Sequence, residues 1–169
     1  MKKFELTSEF VTNISGTKLF RIKALVEFGD VEAGELGGYI EKEENLDHDG
    51  NARVCDDAWV CGDALVCDDA RVCDDARVRG DARVYGDARV CGDARVYGDA
   101  DYAYAHGFGS VNRTTTFFRL KNGNVGVVCG CFHGTLQEFR DKIRETHGET
   151  KKAQEYLMLA DLMDFRFKN

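Results

Sequence analysis

Two cysteines and a histidine alternate near the C-terminal end of the chain, as Cys129, Cys131 and His133. In a single β-strand these three side chains would lie on the same face, and His147 could complete a four-ligand zinc site. The segment lacks the paired Cys-x-x-Cys spacing of zinc sites, and a buried cysteine in a hairpin is common. A thiol nucleophile with His133 as its base would also need a group that orients the base. We therefore predict no metal and no cofactor, and keep Cys129, Cys131 and His133 as weak metal candidates.

The segment from Gly107 to Thr116 has the residue types that bind a phosphate or another small anion. It offers glycine amides, one arginine and three consecutive threonines, and such groups donate hydrogen bonds to anions. A lone Gly-x-Gly is weak evidence, however, and the β-propensity of threonine alone could explain residues 114–116. Arg113, Thr114 and Thr115 are the candidate ligand-binding residues of this segment.

A repeat of six residues positions the rest of the chain. Alanine recurs at every sixth residue from Ala52 to Ala100, and valine does so from Val54 to Val96. Alanine and valine are two residues apart, so in a strand both point inward, while arginine and the cysteine or tyrosine point outward. The Gly or Asp that follows tolerates the left-handed backbone of a corner, and Asp can bond the backbone two residues on. Three hexapeptides then close one triangular coil.

This pattern resembles the hexapeptide-repeat left-handed parallel β-helix family, over about Leu36 to Asp101. A right-handed β-helix is the main structural rival. Ile40 and Leu46 continue the alanine phase upstream with larger side chains, which indicates a wider first coil. We expect a mainly β protein with about four coils, which lie about 4.8 Å apart in the sheets.

Positions 18 residues apart should stack into outward columns. One face would carry Arg53, Arg71 and Arg89 beside Cys55, Cys73 and Cys91. The cysteine column could be a metal or disulfide ladder, or small semi-apolar residues suited to a flat face. The arginine columns could bind an anion or form a solvated face, because residues 51–101 hold 12 Asp and 7 Arg and so have a net charge of −5. The other faces present large side chains typical of an interface, namely Trp59, Leu65, Tyr85 and Tyr97.

Both ends of the repeat need covers, because the last strands would otherwise present unpaired edges. Residues 1–35 are predicted to form an N-terminal β cap, residues 36–106 the β-helix, and residues 107–169 a C-terminal ββαα module. In that module the strands are Thr114 to Leu120 and Val125 to Phe132, joined by an Asn-Gly turn. Thr135 and Glu138 form a capping box for one helix, and a second runs from about 150 to 165. The module resembles C-terminal modules of phage and prophage repeat proteins.

Most enzymes of the β-helix family are acyl-CoA-dependent acyltransferases, which use a histidine as general base, and the family is often trimeric. This chain departs from that pattern, because no histidine lies inside the repeats and no loop interrupts residues 51–100. His48 and His106 flank the repeats and are the catalytic candidates if the chain is a transferase. Otherwise we predict no catalytic residue, and the resemblance implies a homotrimer.

Composition excludes several classes of protein. A formal charge of −7 argues against general nucleic-acid binding. No apolar run approaches the roughly 18 residues of a membrane span, and the first residues lack the apolar region of a secretory signal. The seven cysteines are therefore expected to be reduced thiols. We expect a cytoplasmic protein, in the host cytoplasm if it is phage encoded.

Together these features predict a non-enzymatic, trimeric binding or scaffold protein of phage or prophage origin. A concrete version sequesters a small anionic ligand, such as a signalling nucleotide, between subunits. Arg113 and the outward arginines and tyrosines of the repeat would hold its phosphate and base; the repeat residues are Arg83, Arg95, Tyr85 and Tyr97. An acyltransferase and a virion or assembly component are the alternatives.

Overall fold

The computed structural model describes residues 1–109 and 111–168 of the chain. It is mainly β and divides into two compact units, Met1–Asp99 and Ala100–Asn169. The first unit contains the repeat as a β-solenoid, and the second contains two helices.

The first unit begins with an antiparallel sheet that covers one end of the solenoid. Strand β1 (Phe4–Thr12) pairs with β2 (Lys18–Ala24), and β2 pairs with β3 (Leu36–Ile40). β3 in turn pairs in parallel with the first strand of its solenoid face. Lys3 is buried here, and its ammonium group donates to the carbonyl of Ala52 at 2.9 Å. This bond satisfies the Ala52 carbonyl at the end of the repeat. Burial of the ammonium group lowers the pKa of Lys3.

Eight two-residue strands form the solenoid, one in each hexapeptide. They are β4 (Arg53–Val54), β5 (Trp59–Val60), β6 (Leu65–Val66), β7 (Arg71–Val72), β8 (Arg77–Val78), β9 (Arg83–Val84), β10 (Arg89–Val90) and β11 (Arg95–Val96). Strands 18 residues apart pair in parallel and in register, which gives the faces β4-β7-β10, β5-β8-β11 and β6-β9. The solenoid makes about three turns, and β3 adds a fourth strand to one face. The predicted columns of outward residues are confirmed by this register.

The solenoid core consists of the predicted alanines and valines. Ala52 to Ala94 and Val54 to Val96 are at most 1% exposed at every repeat position, whereas Ala100 is exposed. The prediction for the first coil is wrong in phase: Ile40 pairs with Val60 and Leu46 with Val66, both 20 residues away. Two additional residues therefore move these larger side chains from the alanine to the valine position.

The corners follow a rule that the sequence only partly indicated. Every sixth residue from 56 to 92 has a positive φ, and it is Asp or Gly each time. The predicted aspartate bond to the backbone two residues on is not the one these corners make. The carboxylate of Asp68 instead accepts from the backbone N–H of Gly86 at 3.0 Å, and that of Asp74 accepts from Gly92 at 2.8 Å. Because coils stack at strand spacing, the corner amide 18 residues on is within reach.

The second unit contains four antiparallel strands where two were predicted. They are β12 (Tyr102–Phe108), β13 (Arg113–Arg119), β14 (Val125–Cys129) and β15 (Phe132–Thr135), paired in that order. β12 thus includes the first two residues of the candidate anion-binding segment, Gly107 and Phe108. Ser110 of that segment lies outside the described residues. Gly130 has a φ of 61° and reverses the chain between β14 and β15.

Two helices pack on this sheet. The helix α1 (Leu136–His147) begins at the predicted capping box, in which Thr135 and Glu138 bond each other's backbone amides. The helix α2 (Lys151–Phe167) follows, with Thr150 as its N-cap. Their buried residues form one core with Phe117 and Val127 of the sheet. The members from the helices are Leu136, Phe139, Ile143, Ala153, Tyr156, Leu159, Ala160, Met163 and Phe167.

Candidate functional site

The second unit contains a cavity of about 340 Å³ between one end of its sheet and α1. The size lies within the range of small-molecule sites. Apolar and aromatic side chains form most of its wall, and three basic side chains lie around it. The lining residues are Arg113, Cys129, Cys131, Phe132, Phe139, Lys142, Ile143, Thr146, His147 and Tyr156. No carboxylate lines the cavity, although the chain as a whole has a charge of −7.

The Arg113 guanidinium lies directly against the backbone of Gly130. A Cβ atom at position 130 would overlap the guanidinium, so only glycine leaves room for it. Gly130 is also the residue whose positive φ turns the chain between β14 and β15. Within the described residues Arg113 makes no hydrogen bond and no ion pair. The sequence therefore places a charged, bidentate donor at the cavity and leaves it available to an anion.

Tyr156 forms the opposite wall and is held by backbone and thiol groups. Its hydroxyl donates to the carbonyl of Phe108 at 3.3 Å and accepts from the Cys129 thiol at 3.8 Å. Burial, and then the neighbouring Cys129, raise the pKa of Tyr156 to about 12. A Cβ atom at Gly109 would overlap this hydroxyl, so a second glycine is required for the arrangement. The ring thus remains neutral at physiological pH and offers an apolar surface with a fixed orientation.

The rim of the cavity comes from the last turns of α1. His147 stacks on Tyr156 with 6.1 Å between ring centroids and 24° between planes. Lys142 is exposed and pairs with Glu145 at 2.8 Å, so its charge is partly compensated. A cluster with aromatic walls and cationic groups on one side can bind an anion that carries a planar ring. Lys142 and Tyr156 were not predicted as site residues. The sequence marks them only by their spacing on α1 and α2, which brings both side chains to the cavity.

The two threonines beside Arg113 do not serve the cavity in the way that was expected. Thr114 bonds the ring of His106 at 2.8 Å between Oγ1 and Nδ1. Thr115 is fully buried, and its hydroxyl donates to the Cys129 sulfur at 3.2 Å. The expectation that Thr115 contacts a ligand is corrected, because inward-facing positions of β13 belong to the core.

The three weak metal candidates do not lie along one strand. Cys129 ends β14, Gly130 turns the chain, and His133 lies in β15 opposite Val128. The alternation on which the prediction depended is therefore interrupted by a reversal of the chain. Among the described residues, the groups that could hold a metal lie in the solenoid and include none of these three.

The four solenoid candidates lie in the first unit. One guanidinium nitrogen of Arg95, Nη1, donates to three backbone carbonyls, at 3.0, 3.1 and 2.8 Å. Tyr97 stacks under the Arg79 guanidinium, 3.7 Å from the ring centroid. Tyr85 and Arg83 are exposed on the third face. Arg95 thus holds backbone carbonyls of the solenoid with Nη1, and its role as a ligand contact stays a prediction.

His48 is also occupied by its own unit. Its Nδ1 accepts from the backbone N–H of Lys3 at 3.2 Å, and its ring stacks on Phe4. The Nε2 atom lies 3.8 Å from the Glu43 carboxylate. A general base needs a nitrogen lone pair that faces the acceptor, and the Nδ1 lone pair faces the cap instead. His48 therefore joins the N-terminal cap to the first coil.

Comparison with known proteins concerns the repeat. A family model described as the YdcK beta solenoid repeat matches residues 70–86 and 88–100. The repeat region is therefore similar to a β-solenoid repeat family, in agreement with the fold. No curated protein matches the chain. Within the part of the chain that the structure describes, no helix is both long enough and apolar enough to cross a membrane.

Proposed function

We propose that the protein is a non-enzymatic binding and scaffold protein that captures a small anionic ligand in the cavity of its second unit. The ligand class is an anion attached to a planar ring, such as a nucleoside monophosphate. One observation carries the proposal: the Arg113 guanidinium lies at a cavity without carboxylates and has no acidic partner within the described residues.

The two ends of such a ligand match different parts of the cavity. A phosphate accepts two parallel hydrogen bonds from a guanidinium, and Lys142 adds positive charge nearby. A base would pack against Phe132 and Tyr156, since aromatic rings stack favourably on one another. Both interactions bind the ligand, and neither one requires a chemical step. We therefore assign Arg113 to recognition of the anion and Tyr156 to recognition of the ring.

The solenoid is proposed to act as the scaffold and to form a cytoplasmic homotrimer. In support, Tyr85 and Tyr97 are 44% and 40% exposed on outer faces of the solenoid, and large exposed apolar side chains favour an interface. Trimers are also common in the β-helix family that the repeat resembles. A trimer would contain three copies of the ligand cavity.

Calorimetric titration with adenosine 5′-monophosphate tests the binding proposal. We expect Arg113→Gln to weaken binding roughly 10- to 100-fold, which corresponds to the loss of about 1.5–3 kcal/mol from a charged hydrogen bond. Adenosine and inorganic phosphate should each bind more weakly than the nucleotide, because each satisfies only one part of the cavity.

The matched control is Arg144→Gln. Arg144 is exposed on the same helix that lines the cavity, pairs with Asp141 at 3.2 Å, and does not line the cavity. Its variant should bind the nucleotide like the wild-type protein. Equal losses in both arginine variants would show only a general effect of charge and would contradict the proposal.

A further inference from the structure

Three thiols form an unbroken column on one face of the solenoid. Cys55, Cys73 and Cys91 follow strands β4, β7 and β10, which pair in register. In each neighbouring pair the two sulfur atoms lie within 4.8 Å of each other, and a carboxylate oxygen of Asp56 or Asp74 lies within the same distance. We call these three cysteines the thiol column. The other faces interrupt their cysteines with arginine or tyrosine, so only this face has such a column.

The thiol column is largely shielded from solvent, and its thiols shift one another's pKa values. Cys91 is 5% exposed, and the other two are partly buried. A hydrogen bond with Cys73 lowers the pKa of Cys91, whereas a hydrogen bond with Cys73 and then burial raise the pKa of Cys55. The pKa of Cys73 rises to about 12: its bond with Cys55 lowers the value, but its bond with Cys91 and its burial outweigh that effect. The sulfur atoms thus lie close enough to influence one another, and the Cys55 thiol donates to the carbonyl of Val72 at 3.6 Å.

Positive charge runs beside the thiol column. Arg53, Arg71 and Arg89 stack in the same strands. Asp30 contacts Arg53 and lies 3.6 Å from Arg71, so one carboxylate serves two guanidinium groups. Nearby arginine favours the thiolate form of a cysteine. The three arginines would therefore balance the negative charge of a metal thiolate.

One end of the thiol column opens into a cavity of about 260 Å³. Its lining includes Arg53, Cys55, Asp56 and Asp30 together with apolar residues of the cap. Cys55 is therefore reachable from this cavity, and it is the first sulfur of the column. An ion that enters there meets a thiol next to a carboxylate.

We propose that the thiol column binds monovalent copper, Cu(I), between neighbouring sulfur atoms. Three sulfurs leave two gaps, so the column holds up to two ions, with Cys73 bridging them. Two Cu⁺ ions displace three thiol protons to give a group of net charge −1. No electron is transferred, and the arginines beside the column supply the balancing charge.

Copper(I) fits this geometry better than zinc does. Two metal–sulfur bonds of about 2.3 Å in a line span about 4.6 Å, which lies within the limit on the sulfur separation. Thiolate ligands are also those that select Cu(I). Zinc requires four ligands, yet each gap offers two thiols and one carboxylate. Those carboxylates already accept backbone amides, Asp56 from Asp74 at 3.3 Å and Asp74 from Gly92 at 2.8 Å.

Anaerobic titration of the reduced full-length chain with Cu(I), in competition with bicinchoninate, tests the proposal by stoichiometry. The wild-type protein should retain two ions, Cys55→Ser and Cys91→Ser one each, and Cys73→Ser none. The chain supplies its own controls, since Cys61 and Cys67 occur singly in the other two columns. Cys61→Ser and Cys67→Ser should each retain two ions.

Two further measurements keep the test decisive. Fluorescence of Trp59, the only tryptophan, shows whether each variant keeps its solenoid folded. Copper-edge X-ray absorption should show sulfur ligands alone, two to each ion. The proposal is overturned if the wild-type protein retains no copper against the competitor, or if Cys61→Ser reduces binding as much as Cys73→Ser. Tighter binding of Zn²⁺ that is lost in Asp74→Asn would also overturn the choice of metal.

Discussion

Asp68 forms a corner of the solenoid in a left-handed backbone conformation, with a φ of 59°. Its carboxylate accepts the backbone N–H of Gly86 in the next coil at 3.0 Å. An aspartate at this position therefore combines tolerance of positive φ with a bond between coils. Replacing it by alanine removes the bond and leaves a Cβ atom in an unfavourable conformation.

The two effects can be estimated separately. Because the side chain is exposed, loss of the hydrogen bond should cost about 1 kcal/mol of unfolding free energy. The left-handed conformation should cost alanine roughly another 1 kcal/mol. We thus expect Asp68→Ala to destabilise the solenoid by about 2 kcal/mol and Asp68→Gly by about 1 kcal/mol, since glycine adopts positive φ without strain. The chain itself uses glycine at equivalent corners, as at Gly62 and Gly80.

Urea unfolding followed by Trp59 fluorescence measures these changes in the first unit, because the chain has one tryptophan. Asp57→Ala is the matched control: Asp57 neighbours the corner residue Asp56, is exposed, and does not have a positive φ. Its variant should differ from wild type by less than about 0.5 kcal/mol. If Asp68→Ala proves as stable as Asp68→Gly, the backbone strain assigned to this corner is refuted.

Two predictions concern the second unit. Gly130→Ala should weaken nucleotide binding by up to the roughly 10- to 100-fold expected for Arg113→Gln, because its Cβ atom would displace the Arg113 guanidinium. Gly123→Ala, also at positive φ but with open space around it, should cost similar stability and leave binding intact. Retained binding in Gly130→Ala would contradict the placement of Arg113. Spectrophotometric titration should show tyrosine ionisation near pH 12, and this absorbance change should be absent in Tyr156→Phe. Because the folded pKa of Tyr156 is raised, its stabilising effect is present below about pH 10 and is lost as the pH rises toward 12. Ionisation of every tyrosine near pH 10 would contradict the burial of this hydroxyl.

The repeat was predictable in detail because its sequence pattern is redundant. Each hexapeptide independently indicates the inward position of Ala and Val, and the period of 18 fixes which outward residues stack. The first coil was predicted in the wrong phase, because two additional residues between Leu46 and Ala52 have no repeat to mark them. Asn45, just before them, is buried and donates to the carbonyls of Gly62 and Ala64. The handedness of the solenoid and a phage origin stay predictions.

The candidate site was only partly predictable. Arg113 was identified by its residue type and neighbours, but its cavity depends on the packing of α1 and α2 against the sheet. The turn at Gly130 was not predicted either. The sequence from Val125 to Phe132 has the pattern of one strand, and only the pairing of β14 with β15 shows that the chain reverses there. Only the tertiary structure shows that Tyr156 of α2 lines the cavity and that its hydroxyl bonds the carbonyl of Phe108.

Native mass spectrometry of the protein purified from cells tests the proposed function most directly. A trimer should have three times the chain mass of 18.9 kDa, with an additional mass per chain from a small molecule that absorbs like a nucleobase. Arg113→Gln should give the same trimer without that molecule. A wild-type protein with no additional mass, or an Arg113→Gln variant that keeps it, would contradict capture of an anion by Arg113; a monomer would contradict the proposed scaffold.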